Sequence, residues 1–226
     1  MKLCSLIDYP CLMSYAFPKI YPILDSSFIP ATGRVEFLRR LGGSLAEAGV
    51  TLLEYRNKTG VIAELTADAA ILRAALPAGK VKLILDDRAE LVEMIGFDGV
   101  HVDAGDLHPA EARRLLGPDR IIGTFGGGAT GFVPGILETP TDYFSIGPVF
   151  ATRTKQTSSP LIGMEGVRRL RQEAGPTPAL VAIGGITLAT AAEAFSAGAT
   201  VVAIAGALFR QTDPAAEFRR WMAGLG

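Results

Sequence analysis

The stretch Ile146-Gly147-Pro148-Val149-Phe150-Ala151-Thr152-Arg153-Thr154-Lys155 carries the densest chemistry in the chain. An apolar run, Tyr143-Phe144-Ser145-Ile146, meets a Gly-Pro stop and then a loop with hydroxyls and cations. Threonine hydroxyls and a lysine ammonium donate hydrogen bonds to phosphate oxygens, and a rigid strand just before them fixes where they point. The segment therefore reads as an anion receptor with phosphate as its guest. The competing reading is a solvated surface loop.

Other chemical groups sit where apolar runs end. Glu54, Arg56 and Lys58 alternate along Glu54-Tyr55-Arg56-Asn57-Lys58, so in extended chain all three point one way and two cations share a wall. A solvated charge run is the alternative. Further on come Asp86-Asp87-Arg88, then Asp103 and Asp106. Carboxylates on adjacent strand ends converge on a hard divalent cation; Mg2+ takes one or two of them and keeps water and substrate phosphate in its other positions. Asp87 and Asp106 are the expected pair, against an alternative in which Asp106 caps the helix entering at Pro109. Near the C-terminus, Ile183-Gly184-Gly185-Ile186-Thr187 and Ala203-Ile204-Ala205-Gly206-Ala207 offer glycines that let backbone N–H groups approach an anion.

These groups need a scaffold that gathers strand ends. Short β-rich runs alternate with segments of helical period from Lys19 onward, the pattern of a parallel sheet covered by helices. The expected strands are Ile20–Leu24, Val50–Tyr55, Val81–Leu85, Gly99–Val102, Arg120–Gly123, Tyr143–Ile146, Ala179–Ile183 and Thr200–Ile204. Each is short and largely apolar on both faces, as buried parallel strands are. Val35/Leu38/Leu41/Leu45, Leu65/Ala69/Leu72/Leu76, Leu91/Met94/Ile95 and Ala215/Phe218/Trp221/Met222 form helical stripes. Asp213-Pro214 and His108-Pro109 read as helix starts, and Gly117-Pro118 as a stop. The fold class is thus α/β, a (β/α)8 TIM barrel over residues 19–226 with an N-terminal extension over 1–18. On a barrel, the strand-to-helix loops share one face, where chemistry gathers. The glycine run Phe125-Gly126-Gly127-Gly128-Ala129-Thr130-Gly131 weakens or shifts the fifth helix. Lacking a Gly-Lys-Ser/Thr ending, it reads as a mobile connection in preference to a phosphate cradle.

Composition narrows the class. A chain of 226 residues that is 49% apolar and 20% charged supports a substantial core. A formal charge of −1 leaves no electrostatic footprint for nucleic acid or an anionic membrane, so small molecules are the expected partners. Cys4 and Cys11 make neither a disulfide framework nor a zinc set, which fits a reducing cytoplasm. Residues 1–18 make a poor signal peptide, and no apolar run is long enough to span a membrane. The oligomeric state, homo-oligomer included, is open at this level.

Taken together, the chain resembles the thiamine phosphate synthase family from about Tyr21 to Phe209. The matching pieces are Tyr21-Pro-Ile-Leu-Asp25, Arg56 with Lys58, Asp86-Asp87-Arg88, Gly99-Val-His-Val with Asp106-Leu107, Gly147-Pro-Val-Phe-Ala-Thr-Arg-Thr-Lys155, and Ala182-Ile-Gly-Gly-Ile186. The resemblance implies an enzyme that joins a hydroxymethylpyrimidine diphosphate to a thiazole phosphate and releases diphosphate with Mg2+ assistance. It implies Asp87 and Asp106 as metal ligands, and Arg56, Lys58 and Lys155 as catalytic groups binding the diphosphate. Thr152, Thr154, Gly185, Ala205 and Gly206 would receive the thiazole phosphate or its neighbours. Glu54, Asp86 and Phe125 fall at substrate-binding positions where the family usually has Gln, Asn and Ser; Gly206 and Ala104 replace a usual Ser and Gln. Two of these changes add negative charge beside a site for an anionic substrate.

No Ser/His or Cys/His arrangement exists for covalent catalysis, and His101, set in an apolar strand, reads as packed structure. The expected mechanism is loss of diphosphate to a pyrimidine methylene cation, then attack by the thiazole nitrogen. Two other readings are a thiazole tautomerase-like enzyme and a non-catalytic barrel that binds phosphorylated ligands. Lys58 and the absence of a His after the fifth strand count against the first; Glu54, Asp86 and Phe125 favour the second.

Overall fold

The computed structural model of the protein describes residues 15–103, 105–152, 154 and 158–225. Lys155, Arg153 and Ala104, both cysteines, and most of the expected N-terminal extension lie outside the described residues. The apolar runs become strands β1 (Ile20–Asp25), β2 (Leu52–Arg56), β3 (Lys82–Asp86), β4 (Gly99–Val102), β5 (Ile121–Gly128), β6 (Gly131–Phe132), β7 (Tyr143–Ile146), β8 (Ala179–Ile183) and β9 (Val201–Ile204). All but β6 pair in parallel in the order β4-β3-β2-β1-β9-β8-β7-β5, and pairing of β4 with β5 closes the barrel. The expected (β/α)8 barrel is therefore the fold, with β6 as an antiparallel addition to β5.

Strand alternation divides the residues into two cores. Tyr21, Ile23, Leu52, Ile84, Ile121, Tyr143, Val181, Val201 and Ala203 fill the lower interior. The intervening Ile20, Leu24, Leu53, Leu85, Val100, Ile122 and Val202 face outward and pack beneath the helices. Those helices are α1 (Arg34–Glu47), α2 (Ile62–Ala75), α3 (Val92–Ile95), α4 (Pro109–Leu116), α5 (Gly163–Ala174), α6 (Leu188–Ser196), α7 (Gly206–Phe209) and α8 (Pro214–Leu225). Leu38, Leu41 and Leu45 of α1 are buried, as are Leu65, Ala69 and Leu72 of α2. Burial of each large aliphatic side chain contributes about 1.5–3 kcal/mol. Val35, Met94 and Met222, expected on these stripes, are instead exposed; each sits on the solvent edge of its helix.

Helix starts follow local chemistry. His108 Nδ1 accepts from Ala110 N at 3.3 Å ahead of Pro109, and Asp213 Oδ1 accepts from Ala216 N at 2.9 Å. Tyr15 and Phe17 pack on the barrel floor, with Phe17 edge-on to Tyr143 at 5.3 Å.

The glycine run differs most from expectation. It extends β5 and turns back as β6, so a hairpin replaces any α-helix before β7. Gly127 is required there, since a Cβ would lie 2.6 Å from Gly131 O. Arg169 of α5 donates to the carbonyls of Gly128 and Ala129 at 3.0 and 2.9 Å, tying the hairpin down. This is a pinned hairpin, and the reading of the run as a mobile connection gives way to it.

Candidate active site

The carboxyl ends of the strands surround a cavity of about 610 Å³. Its walls include Glu54, Arg56, Asp86, Phe125, Thr152, Thr154, Gly185, Ala205 and Gly206, so most of the expected site residues share one space. Lys58, Asp87 and Asp106 stand beside it, connected through Asp86. Lys58 Nζ lies 2.8 Å from Asp86 Oδ2 and also donates to Asp87 Oδ2.

Arg56, the last residue of β2, and Lys58, two residues beyond it, meet on one carboxylate, Asp86, although a turn and not extended chain brings Lys58 there. Arg56 Nε is 3.4 Å from Asp86 Oδ2, and its Nη1 donates to Asp25 Oδ2 at the end of β1. Beyond the strand, Asn57 Oδ1 accepts from Thr59 N at 2.9 Å, an Asx turn that swings Lys58 across toward β3. That turn is held from outside the barrel: Asn57 Nδ2 donates to Tyr55 OH at 3.0 Å and to Glu64 Oε1 at 3.1 Å. Tyr55 OH in turn donates to the buried Asp68, which also receives Arg34 Nε at 2.8 Å. The position of Lys58 thus depends on a polar network between α1 and α2.

Asp87 and Arg88 adopt left-handed backbone at φ 61° and 44°, a conformation that costs non-glycine residues about 1–2 kcal/mol. The bend keeps the chain paired to β4, with Asp87 N donating to His101 O at 2.8 Å. Asp106 does not cap α4, because His108 does. Asp106 Oδ2 instead accepts from Asp103 N at 2.8 Å, folding the loop so that its carboxyl meets Asp87. Burial first, and then the Asp87 carboxyl beside it, push Asp106 up to about 6. Burial opposes charge on Lys58, yet Asp86 and Asp87 together hold its pKa above the ordinary value.

Asp87 Oδ1 is buried with no hydrogen-bond partner among the described residues. An orphaned carboxylate oxygen beside a second carboxyl fits the donor set of a hard divalent cation. Among the described residues no cluster of three or more His, Cys, Asp and Glu could hold a metal ion. Two carboxylates are nevertheless within what Mg2+ takes from protein.

The cavity floor is more polar than the sequence pattern conveyed. Tyr21 OH donates to Glu54 Oε2 at 2.8 Å and lies 3.0 Å from Tyr143 OH, which is 3.0 Å from His101 Nδ1. His101 is buried, as a packed histidine should be, but its partners are polar: it stacks on Tyr143 and approaches Asp103 at 3.6 Å. Burial raises Glu54 to about 7, with the charge of His101 opposing and that of Asp86 adding. Burial also raises Asp86, while Lys58 pulls it down. The two carboxyls added where the resemblance leads one to expect amides are therefore compensated, Glu54 by partial protonation and Asp86 by Lys58 and Arg56.

The opposite side of the cavity is built from backbone. Val149 N and Phe150 N donate to Ile183 O and Gly184 O at 2.9 Å each, sewing the loop after β7 to the end of β8. Ile162 N and Gly163 N return to Pro148 O and Val149 O at 2.9 and 3.0 Å. Gly185, at φ 62°, approaches so closely that a Cβ would lie 2.4 Å from Ala151 O. Thr154 N donates to Thr152 Oγ1 at 3.2 Å. Lys155, expected here, lies outside the described residues. Sequence reading missed Asp25, Tyr21, Tyr143 and Arg210 as site groups. Alternation along β1 and β7 marks both tyrosines as inward-facing, and the same parity along β1 carries on through Ile23 to Asp25; Arg210 has no such signal.

Comparison with known proteins points one way. A family model described as "Thiamine monophosphate synthase" matches residues 20–208. A thiamine-phosphate synthase from Koribacter versatilis is 38% identical over 206 residues, covering 89% of this chain and 94% of its own. One from Chloroflexus aurantiacus is 34% identical, covering 76% and 78%. A solved thiamine phosphate pyrophosphorylase from Pyrococcus furiosus superposes with a TM-score of 0.71 at 26% identity, over 92% of this chain and 97% of that one. A 3-hexulose-6-phosphate synthase, with a TM-score of 0.62 at 16% identity and coverage of 92% and 99%, shares the fold alone.

Proposed function

This chain belongs to the thiamine monophosphate synthase family, and we propose that it joins hydroxymethylpyrimidine diphosphate to a thiazole phosphate at the cavity described above, with Mg2+. The observation that carries the reading is the convergence of Arg56 and Lys58 on Asp86, beside the facing pair Asp87 and Asp106. A leaving diphosphate requires cations already in place, because its charge develops in the transition state.

Arg56 and Lys58 hold the diphosphate oxygens, and Lys155 adds a third cation. Asp87 and Asp106 hold Mg2+, which when bound neutralises part of the diphosphate charge. As the C–O bond breaks, its electron pair departs with diphosphate and the pyrimidine methylene becomes cationic. The thiazole nitrogen then donates its lone pair to form the new C–N bond. Glu54, Asp86, Tyr21, Tyr143 and His101 surround the ring, and their carboxyls favour the developing positive charge. Thr152, Thr154, Gly185 and the Ala205-Gly206 backbone fix the thiazole phosphate, while the Phe125 ring supplies an apolar wall that keeps water from the cation. No protein nucleophile participates.

Purified protein with both phosphorylated halves and Mg2+, followed for diphosphate release and coupled product, tests the proposal. Coupling is expected. Interconversion of thiazole isomers alone, or tight binding without turnover, would contradict it, and a trapped pyrimidine–enzyme adduct would overturn the mechanism.

A further inference from the structure

We infer that Arg210 is a substrate-binding residue whose guanidinium, together with the Thr154 hydroxyl that meets it at Gly206, grips a phosphate monoester in the cavity. The inference rests on and deepens the functional reading above: the resemblance already assigns the thiazole phosphate to this end of the cavity, and what is new is the role of Arg210, which neither the sequence pattern nor the resemblance assigns. A Cβ built on Gly206 would lie 2.9 Å from Arg210 Nε and 3.0 Å from Thr154 Oγ1. The missing side chain therefore lets a cationic donor and a hydroxyl close in on the same stretch of Gly206 backbone, where any Cβ would displace them. Both residues line the cavity, as does Gly206 itself.

Arg210 is also prepared for this task. Its guanidinium carbon sits 5.2 Å from the centre of the Phe28 ring, and Phe28 is itself stacked on Phe209 at 6.2 Å. The ring beneath the guanidinium restricts its plane without consuming its charge. Arg34, Arg56, Arg73, Arg113 and Arg120 are each paired to a carboxylate, whereas no Asp or Glu pairs with Arg210 among the described residues. A planar cation held over an aromatic ring at a cavity wall, with its donors unclaimed by carboxylate, matches the fork geometry of a phosphate better than a lysine would. The pyrimidine diphosphate belongs to the Arg56 and Lys58 side, so the monoester is the thiazole phosphate.

Calorimetric titration of the full chain with the thiazole phosphate, and with the corresponding unphosphorylated alcohol, tests this directly. Arg210→Ala and Arg210→Gln should each weaken binding of the phosphate by about 10–100-fold, the range for a charge-assisted contact, and leave the alcohol unaffected. In turnover, the same variants should raise KM for the thiazole phosphate while KM for the diphosphate substrate stays put. Arg210→Lys should recover part of the loss, since charge survives and the fork does not. If the native protein prefers phosphate to alcohol and both variants keep that preference, Arg210 is a solvated surface arginine and the inference falls alone. If the native protein shows no preference for phosphate, the functional reading falls with it.

Discussion

The two sides of the cavity are built by opposite means, and under the proposed function each takes a different anion. On the β2–β4 side the chain deploys charge: Arg56, Lys58, Asp25, Asp86 and Asp87 form one ion-pair mesh. On the β8–β9 side it removes side chains, so that Gly184 and Gly185 let the loop after β7 pack against their backbone and Gly206 lets Arg210 and Thr154 close in beside it. The difference follows from what each anion does. A phosphate that only anchors its substrate has the same charge throughout, and fixed backbone donors position it at little reorganisation cost. A diphosphate that leaves gains charge during the reaction, and cations already held in place against carboxylates meet that change. Substitutions on the charged side should therefore act on kcat, and those on the glycine side on KM.

The largest effect is expected where the charged side is supported. Asp68→Ala leaves Arg34 only its 3.2 Å contact with Glu64 among the described residues and removes the buried acceptor of Tyr55, costing about 3–5 kcal/mol of stability in urea unfolding. An unchanged midpoint would mean that the network does not hold the Lys58 turn. Lys58→Ala and Asp87→Ala come next, each lowering kcat by about 10²–10³-fold in steady-state coupling with no loss of fold. Should either act on KM alone, the division between the two sides breaks.

Glu54→Gln sharpens the comparison through pH. Glu54 is raised from 4.5 to about 7 in the folded protein, so the folded state binds the extra proton between those values. Native stability contributed by that proton is complete below pH 4.5 and lost as pH rises through about 7, a change of about 3 kcal/mol at 1.36 kcal/mol per pH unit. Chemical denaturation at pH 5 and pH 8 should show the variant gaining on the native protein at the higher pH; parallel losses in both would place Glu54 in an ordinary solvated setting. The smallest effect belongs to Gly185→Ala. Its strained backbone and the clash with Ala151 O should cost about 1–2 kcal/mol and raise KM for the thiazole phosphate, leaving KM for the diphosphate unchanged.

Legibility in the sequence followed the same divide. The bounds of β4, β7 and β8 coincide with the apolar runs, because buried parallel strands leave an uninterrupted hydrophobic trace. β5 was misjudged: glycine breaks helices, but here it also permits a hairpin whose close backbone contacts exclude a Cβ, and composition alone does not separate the two. At the site, Glu54, Arg56, Asp86 and Gly185 were readable as strand-end residues. The orientation of Lys58 was less so, since it depends on Asn57, Tyr55, Asp68 and Arg34, which are distant in sequence. Likewise Asp106 offered itself as a helix cap until His108 took that role. Arg210 lies four residues beyond Gly206 and reads as surface charge until both are seen to flank one space.

Among the described residues no helix is long and apolar enough to cross a membrane.

The most direct measurement is a pair of calorimetric titrations, inorganic diphosphate with Mg2+ and thiazole phosphate, carried out on the native protein and on Lys58→Ala. Diphosphate affinity should fall by about 10-fold or more in the variant, with thiazole phosphate affinity unchanged. Loss of both affinities together, or of neither, would contradict the assignment of two chemically distinct anion receptors to the two sides of one cavity.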